Sequence, residues 1–317
     1  MINTILQTLT SSTVIRLFSL GFFVFFPLWS YSSPPEIKVT LQSRSFQPGE
    51  IFLIVMENYR SEEKPTGTFL NRELSFFPSP EGQLLGLAGI DLETSPGKEI
   101  VAIQGRDHRG KEFVWKQEIT IESKTFPTVE LKVDDRYVRL KKKDLERAAR
   151  EAKELKKIFM TLTSERYFEE NFISPIPGSL AARFGERRVF NGVPKAPHGG
   201  ADLQAASGAP IHSPAGGKVV LANHFFYPGK IVILDHGFGL YSYYAHLSKM
   251  GVKPGDVVRK GDYLGDVGAT GRVTGPHLHW GVKWLNHRID PFALTELDLE
   301  KWLRTQSTPT PTPEVAK

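Results

Sequence analysis

Five residues in three separated segments carry the chemistry this sequence offers. His198 and Asp202 stand four apart in Pro197-His198-Gly199-Gly200-Ala201-Asp202, and His277 and His279 stand two apart in Gly275-Pro276-His277-Leu278-His279-Trp280. His246 lies between them, in Tyr243-Tyr244-Ala245-His246-Leu247-Ser248. Residues i and i+2 of a strand project to one face, so His277 and His279 can look into a single site. A hydrolytic zinc takes three protein ligands of His or carboxylate type and keeps its fourth position for water. His198, Asp202 and one member of the His277/His279 pair meet that count. The other member and His246 are left for proton transfer or charge stabilisation. The chain has no cysteine, which excludes thiolate ligands and disulfides. Arg272 and Tyr243 are candidates for substrate contact, with a turn or packing role as the equal alternative. His212, His224, His236 and His287 lack a paired ligand at suitable spacing and read as structural or surface residues. His108, in Asp107-His108-Arg109-Gly110, reads as a solvated loop histidine.

The segments that must position these residues are mostly strand-like. Residues 36–126 alternate short apolar runs, such as Ile37–Leu41, Gly49–Val55, Glu99–Gly105 and Phe113–Ile121, with Pro-Gly and Arg-Gly turn signals. That pattern predicts an immunoglobulin-like β-sandwich. Residues 127–172 connect it to the rest. They comprise a strand at Val129–Val133 and an amphipathic helix near Lys142–Thr161, with Leu145, Ala148, Ala149, Ala152, Leu155 and Phe159 at helical spacing. Its charges read as a solvated face with i,i+4 pairs rather than a binding patch. Residues 173–293 again give short strands joined by Gly-rich turns, predicting an antiparallel β-sheet domain with almost no helix. Residues 294–317 read as a short helix at Thr295–Arg304 and a disordered Thr/Pro tail. The expected class is thus mainly β.

Bulk properties narrow the partners. At 317 residues the chain accommodates two domains plus accessory segments. Its net charge of +5 and pI near 9.2 suit an anionic partner such as a cell envelope. No basic stripe with interleaved aromatics forms a nucleic-acid motif, so nucleic acid is not expected. Residues 1–33 contain the apolar run Leu17–Trp29 after Arg16. The run is shorter than the roughly 20 residues that span a bilayer and suits a signal-peptide core. Cleavage after the small residues Ser30 and Ser32, or retention as an N-terminal membrane anchor, would each place the remainder in the periplasm or cell envelope.

The five-residue pattern resembles the LytM/lysostaphin-type zinc metallopeptidases, which cut peptidoglycan peptides. His198-Gly199-Gly200-Ala201-Asp202 is similar to the family's H-x-x-x-D, and His277-Leu278-His279 to its H-x-H. Tyr244-Ala245-His246-Leu247-Ser248, Phe184–Arg188, Ala205–Ile211, Val252–Val258 and Gly268–Gly271 extend the likeness over residues 179–291. The resemblance implies that His198, Asp202 and His279 bind one Zn²⁺ and that His246 and His277 are the catalytic pair. It further implies a small antiparallel sheet with a groove, and a peptidoglycan substrate, with D,D cross-links ahead of Gly-Gly bonds. Non-catalytic relatives, which bind wall or activate other hydrolases, lose ligands. This chain keeps all five positions.

Overall fold

Turns cut residues 38–121 into eight strands: β1 (Lys38–Gln42), β2 (Ile51–Glu57), β3 (Thr66–Phe69), β4 (Arg72–Leu74), β5 (Phe76–Pro78), β6 (Leu84–Gly89), β7 (Gly97–Arg106) and β8 (Glu112–Ile121). The computed structural model describes residues 36–132 and 141–304. The predicted signal segment and the Thr/Pro tail lie outside the described residues. The eight strands form two four-stranded antiparallel sheets, in the orders β1-β2-β6-β5 and β4-β3-β7-β8. In β7 the buried residues Val101 and Ile103 alternate with exposed ones, as expected for a strand with one wet face. β2 differs, because Ile51 to Met56 is buried on both faces. Its inner face meets the second sheet, where the Phe52 and Phe69 rings pack edge to face at 5.1 Å. Its outer face meets the C-terminal region. Gly89, the register partner of Ile51, has no side chain and so admits Ile289 and Trp284.

Polar contacts reinforce that junction. Arg288 clasps Asp91 through Nη2 (2.6 Å) and Nε (3.2 Å) and reaches Glu93 at 2.6 Å. Arg44 joins Glu50 (2.7 Å) to Asp290 (2.9 Å), and His287 Nδ1 donates to the Gly89 carbonyl at 3.0 Å. One apolar cluster runs from Phe52 and Leu87 through Trp280 and Trp284 to Leu303. The two regions read separately from the sequence therefore share a core from Glu36 onward.

The connector holds β9 (Thr128–Leu131) and α1 (Lys142–Phe159). The helix lies where its periodicity predicts. Leu155, Ile158 and Phe159 pack against the C-terminal sheet, whereas Leu145, expected on the apolar face, is 53% exposed near the helix start.

The C-terminal region comprises β10 (Leu180–Ala182), β11 (Arg187–Phe190), β12 (Val193–Pro194), β13 (Ala201–Leu203), β14 (Pro210–His212), β15 (Gly217–Phe225), β16 (Gly229–Gly237) and β17 (Leu240–Leu247). It continues with β18 (Lys249–Met250), β19 (Val257–Val258), β20 (Tyr263–Asp266), β21 (Leu278–Trp284) and β22 (His287–Ile289). The main sheet runs β10-β13-β21-β17-β16-β15-β19, with β22 beside β21. β14-β20-β18 and β12-β11-β9 are smaller sheets, and β9 pairs with β11 in parallel, an exception to the antiparallel rule. Leu278, Trp280, Val282 and Trp284 of β21 bury one face in the shared core, leaving His279 and Lys283 half-buried on the other.

The single helix expected at Thr295–Arg304 is instead two short ones, α2 (Pro291–Thr295) and α3 (Glu300–Leu303). Asp290 caps α2 by accepting from Phe292 N, and Pro291 occupies the first turn, where its missing N–H costs nothing. Those signals place the helix start earlier than apolar spacing alone did. Among the described residues, no helix is long and apolar enough to cross a membrane.

Candidate metal centre

Three neighbouring strands converge on the site. Asp202 of β13 is the register partner of His279 of β21, which in turn faces Ala245 of β17. His198 precedes β13 in a loop held by two backbone bonds, His198 N to Glu186 O at 2.9 Å and Gly185 N to His198 O at 2.8 Å. Gly200 is required here, since a Cβ would press on the Trp280 carbonyl and on His279 Nε2.

The result is a tight triangle of donor atoms. His198 Nε2 lies 3.0 Å from Asp202 Oδ1, His279 Nδ1 lies 2.8 Å from the same oxygen, and the two nitrogens are 3.0 Å apart. A tetrahedral ion with bonds of about 2.0–2.1 Å needs donors about 3.3 Å apart, close to this spacing. The remaining atoms of each ligand are anchored. His198 Nδ1 donates to the Arg183 carbonyl at 2.9 Å, which leaves Nε2 as a lone pair. His279 Nε2 faces the Tyr243 hydroxyl at 3.4 Å, and that hydroxyl donates to the Gly199 carbonyl at 3.3 Å. Arg188 Nη2 holds Asp202 Oδ2 at 2.6 Å. Three electron pairs thus point at one spot, an arrangement that a divalent cation satisfies. Among the described residues this is the group able to hold a metal ion.

The other two histidines flank the triangle. Their ring centroids are 5.0 Å apart, and His246 lies 5.9 Å from His279. His246 Nδ1 donates to the Thr270 carbonyl at 2.9 Å and His277 Nδ1 to the Gly275 carbonyl at 2.9 Å. Each Nε2 is therefore the free acceptor, and that of His277 lies 3.7 Å from Asp202 Oδ1. His277 lies one residue outside β21, in an isolated bridge to Gly268, so a bridge rather than one continuous strand aligns it with His279. His246 sits at φ +67°, in the left-handed region, where the β16–β17 register shifts between Lys230 and Val232. That bulge turns its imidazole toward the site.

Burial sets the charge states. Burial alone would raise the Asp202 carboxyl, but its close contacts with the His198 and His279 imidazoles hold it far below the carboxylate range. Burial pushes His279 down to about 4, and burial with the neighbouring His279 and His277 pushes His246 down to about 3, so both rings are neutral. Burial, then the nearby Asp202 charge, raises Tyr243 and keeps it a phenol.

All five predicted residues come together, and Tyr243 joins them as the partner of His279. Arg272 lies over the Tyr227 ring (4.3 Å) and the Phe190 ring (5.1 Å) at the mouth of the site. His212 and His224 lie outside the cluster. His236 is fully buried between Gly216 O (2.6 Å) and Ser242 Oγ (2.7 Å), and His287 belongs to the junction with the N-terminal sheets. The sequence reading missed Arg188 as the carboxylate's anchor. The signal was its place before an expected ligand strand, but which of Arg187 and Arg188 faces inward depends on the register of β11.

Fold and site together define an antiparallel β protein with a His/Asp/His metal centre. Residues 196–291 match the model of peptidase family M23. The chain is 39% identical over 94 residues to the peptidoglycan DD-endopeptidase ShyB of Vibrio cholerae serotype O1, covering 30% of this chain and 22% of that protein. It is 39% identical over 102 residues to ShyA of the same organism, also a peptidoglycan DD-endopeptidase, covering 32% and 24%. The matched segment thus spans about a quarter of those relatives. A solved structure of a peptidase M23 from Pseudomonas aeruginosa superposes with a TM-score of 0.61 at 29% identity, covering 79% of this chain and 95% of the other. That likeness runs well beyond residues 196–291.

Proposed function

We propose that this protein is an exported zinc endopeptidase that hydrolyses peptide bonds of peptidoglycan, with D,D cross-links as the first target. The observation that carries the reading is the triangle of His198 Nε2, Asp202 Oδ1 and His279 Nδ1, with edges of 2.8–3.0 Å, beside two further imidazoles. The names of the Vibrio relatives support the substrate class.

His198, Asp202 and His279 would hold Zn²⁺. Bound there, the ion supplies Lewis acidity to a water and to the scissile carbonyl. The remaining work falls to the chain's own groups. Asp202, kept ionised, balances the charge of the cation. His246 and His277 present Nε2 to the reacting atoms because their Nδ1 protons are committed to backbone carbonyls. One Nε2 accepts a proton as water adds to the carbonyl, and the pair returns a proton to the amine nitrogen as the C–N bond breaks. General acid–base help of this kind is worth ~10²–10⁴-fold in rate.

The strand orders β1-β2-β6-β5 and β4-β3-β7-β8 support reading residues 36–126 as an immunoglobulin-like module ahead of the peptidase module. Peptidoglycan as substrate supports an envelope location, with residues 1–33 as the export segment. Purified sacculi incubated with the His277→Ala protein test the catalytic assignment. Muropeptide release should collapse, and release equal to that of the unaltered protein contradicts it.

A further inference from the structure

The face of β21 that carries His279 carries two more positions, Gly281 and Lys283. Each is the register partner of an aromatic residue on β17, Gly281 of Tyr243 and Lys283 of Tyr241. A Cβ at Gly281 would overlap the Tyr243 ring, so glycine lets that ring lie across the strand. Phe159 at the end of α1 packs on Tyr241 and Tyr243, each at 5.7 Å, and walls this floor from the side. The groove so formed has a volume of about 450 Å³ and runs from His198, His246 and His279 to Lys283.

Its charge is one-sided. Lys156, Lys195, Lys283, Arg188 and Arg272 line it, and no Asp or Glu does among the described residues. Lys283 is the distinctive member. Its Nζ lies 5.5 Å from the centre of the Phe159 ring and 3.4 Å from the Asn286 carbonyl. Among the described residues, no carboxylate lies within ion-pairing distance of it. Burial, then the nearby Arg288 charge, pushes its ammonium down to about 8, and the Asp91 carboxylate, beyond ion-pairing distance, offsets this only in part. A cation held this way is short of an anion, and the groove opens toward the metal centre.

Resting on the peptidase reading, we propose that Lys283 determines substrate specificity by pairing with a free carboxylate of an extended peptide lying along β21. Lys283 lies four positions along β21 from His279, about 14 Å at ~3.4 Å per strand residue. A substrate in the same extended form spans that length with about four residues. The carboxylate therefore belongs about four residues from the bond that is cut. The apolar floor of Tyr243, Phe159 and Ile231 takes the intervening side chains.

Two forms of one substrate test this: cross-linked stem-peptide dimers with free carboxylates, and the same dimers with those groups converted to carboxamides. The unaltered protein should show a KM roughly 10- to 100-fold lower for the free-carboxylate form, the range for a hydrogen-bonded charge pair. Lys283→Met should raise that KM to the amidated value at unchanged kcat, and Lys283→Arg should restore the preference. Anisotropy of a fluorophore-labelled stem peptide, with and without its carboxylate, scores the subsite even where no bond is cut. Equal affinity for both forms in the unaltered protein, or a preference that survives in Lys283→Met, overturns the inference while leaving the peptidase reading intact. Failure to cleave either dimer while binding still discriminates overturns the peptidase reading instead.

Discussion

Arg188 Nη2 holds Asp202 Oδ2 at 2.6 Å and thereby turns Oδ1 toward His198 and His279. The guanidinium is only 18% exposed, so the pair is shielded from the screening that weakens surface ion pairs. Without Arg188 the carboxylate is free to rotate and loses the group that fixes its ligating oxygen. Arg188→Met should therefore lower zinc affinity about 10- to 100-fold, the range for outer partners of metal ligands. Arg188→Lys should fall between, keeping charge but losing the planar donor. Competition against a chromophoric chelator measures both, and unchanged affinity in Arg188→Met would mean that the pair is structural only.

His246 adopts φ +67°, a conformation that Asn tolerates and β-branched residues do not. His246→Asn should keep the fold and metal while cutting turnover by ~10²–10⁴-fold, since the amide cannot shuttle a proton. His246→Val should add a loss of stability of about 1–2 kcal/mol from the left-handed backbone. Thermal melts and cleavage rates on both variants separate the two effects. A melting temperature for His246→Val equal to that of His246→Asn would argue against backbone strain there.

These two residues also mark where the sequence is legible and where it is not. The five chemical residues stand out because short Gly-flanked segments keep them at fixed offsets, and the strands because their apolar runs are bounded by turns. The bulge at His246 has no such signal: Tyr244-Ala245-His246 reads as a regular strand, and only the register against β16 shows the slip. Arg188 gained its role from a parallel pairing of β9 with β11 that brings in residues far away in sequence. The all-apolar run in β2 is explained by Trp284 and Ile289, over 200 residues further along the chain, which no local pattern announces. The helix expected at Thr295–Arg304 began earlier because Asp290 and Pro291 outweigh apolar spacing.

His236 makes stability depend on pH. Burial between Gly216, Ser242 and Phe172 pushes its pKa down to about 4, against an ordinary value of 6.5. Between those values the unfolded chain binds the proton and the folded protein does not, so stability rises with pH through this window. The contribution is complete above pH 6.5 and is lost as the pH falls toward 4, about 3 kcal/mol in all. His236→Gln keeps a polar side chain without the titration, so its stability should fall less steeply than that of the unaltered protein between pH 7 and 4.5. Urea melts at both pH values provide the check, and parallel losses in the two proteins would refute this account of His236.

The most direct test of the peptidase reading is mass spectrometry of a defined cross-linked muropeptide dimer incubated with the full chain, with zinc and with a chelator. The triangle of His198, Asp202 and His279 predicts conversion of the dimer to monomers with the addition of one water per bond, abolished by the chelator and restored by zinc. A dimer that stays intact with zinc present, or that is cut equally well after chelation, would contradict it.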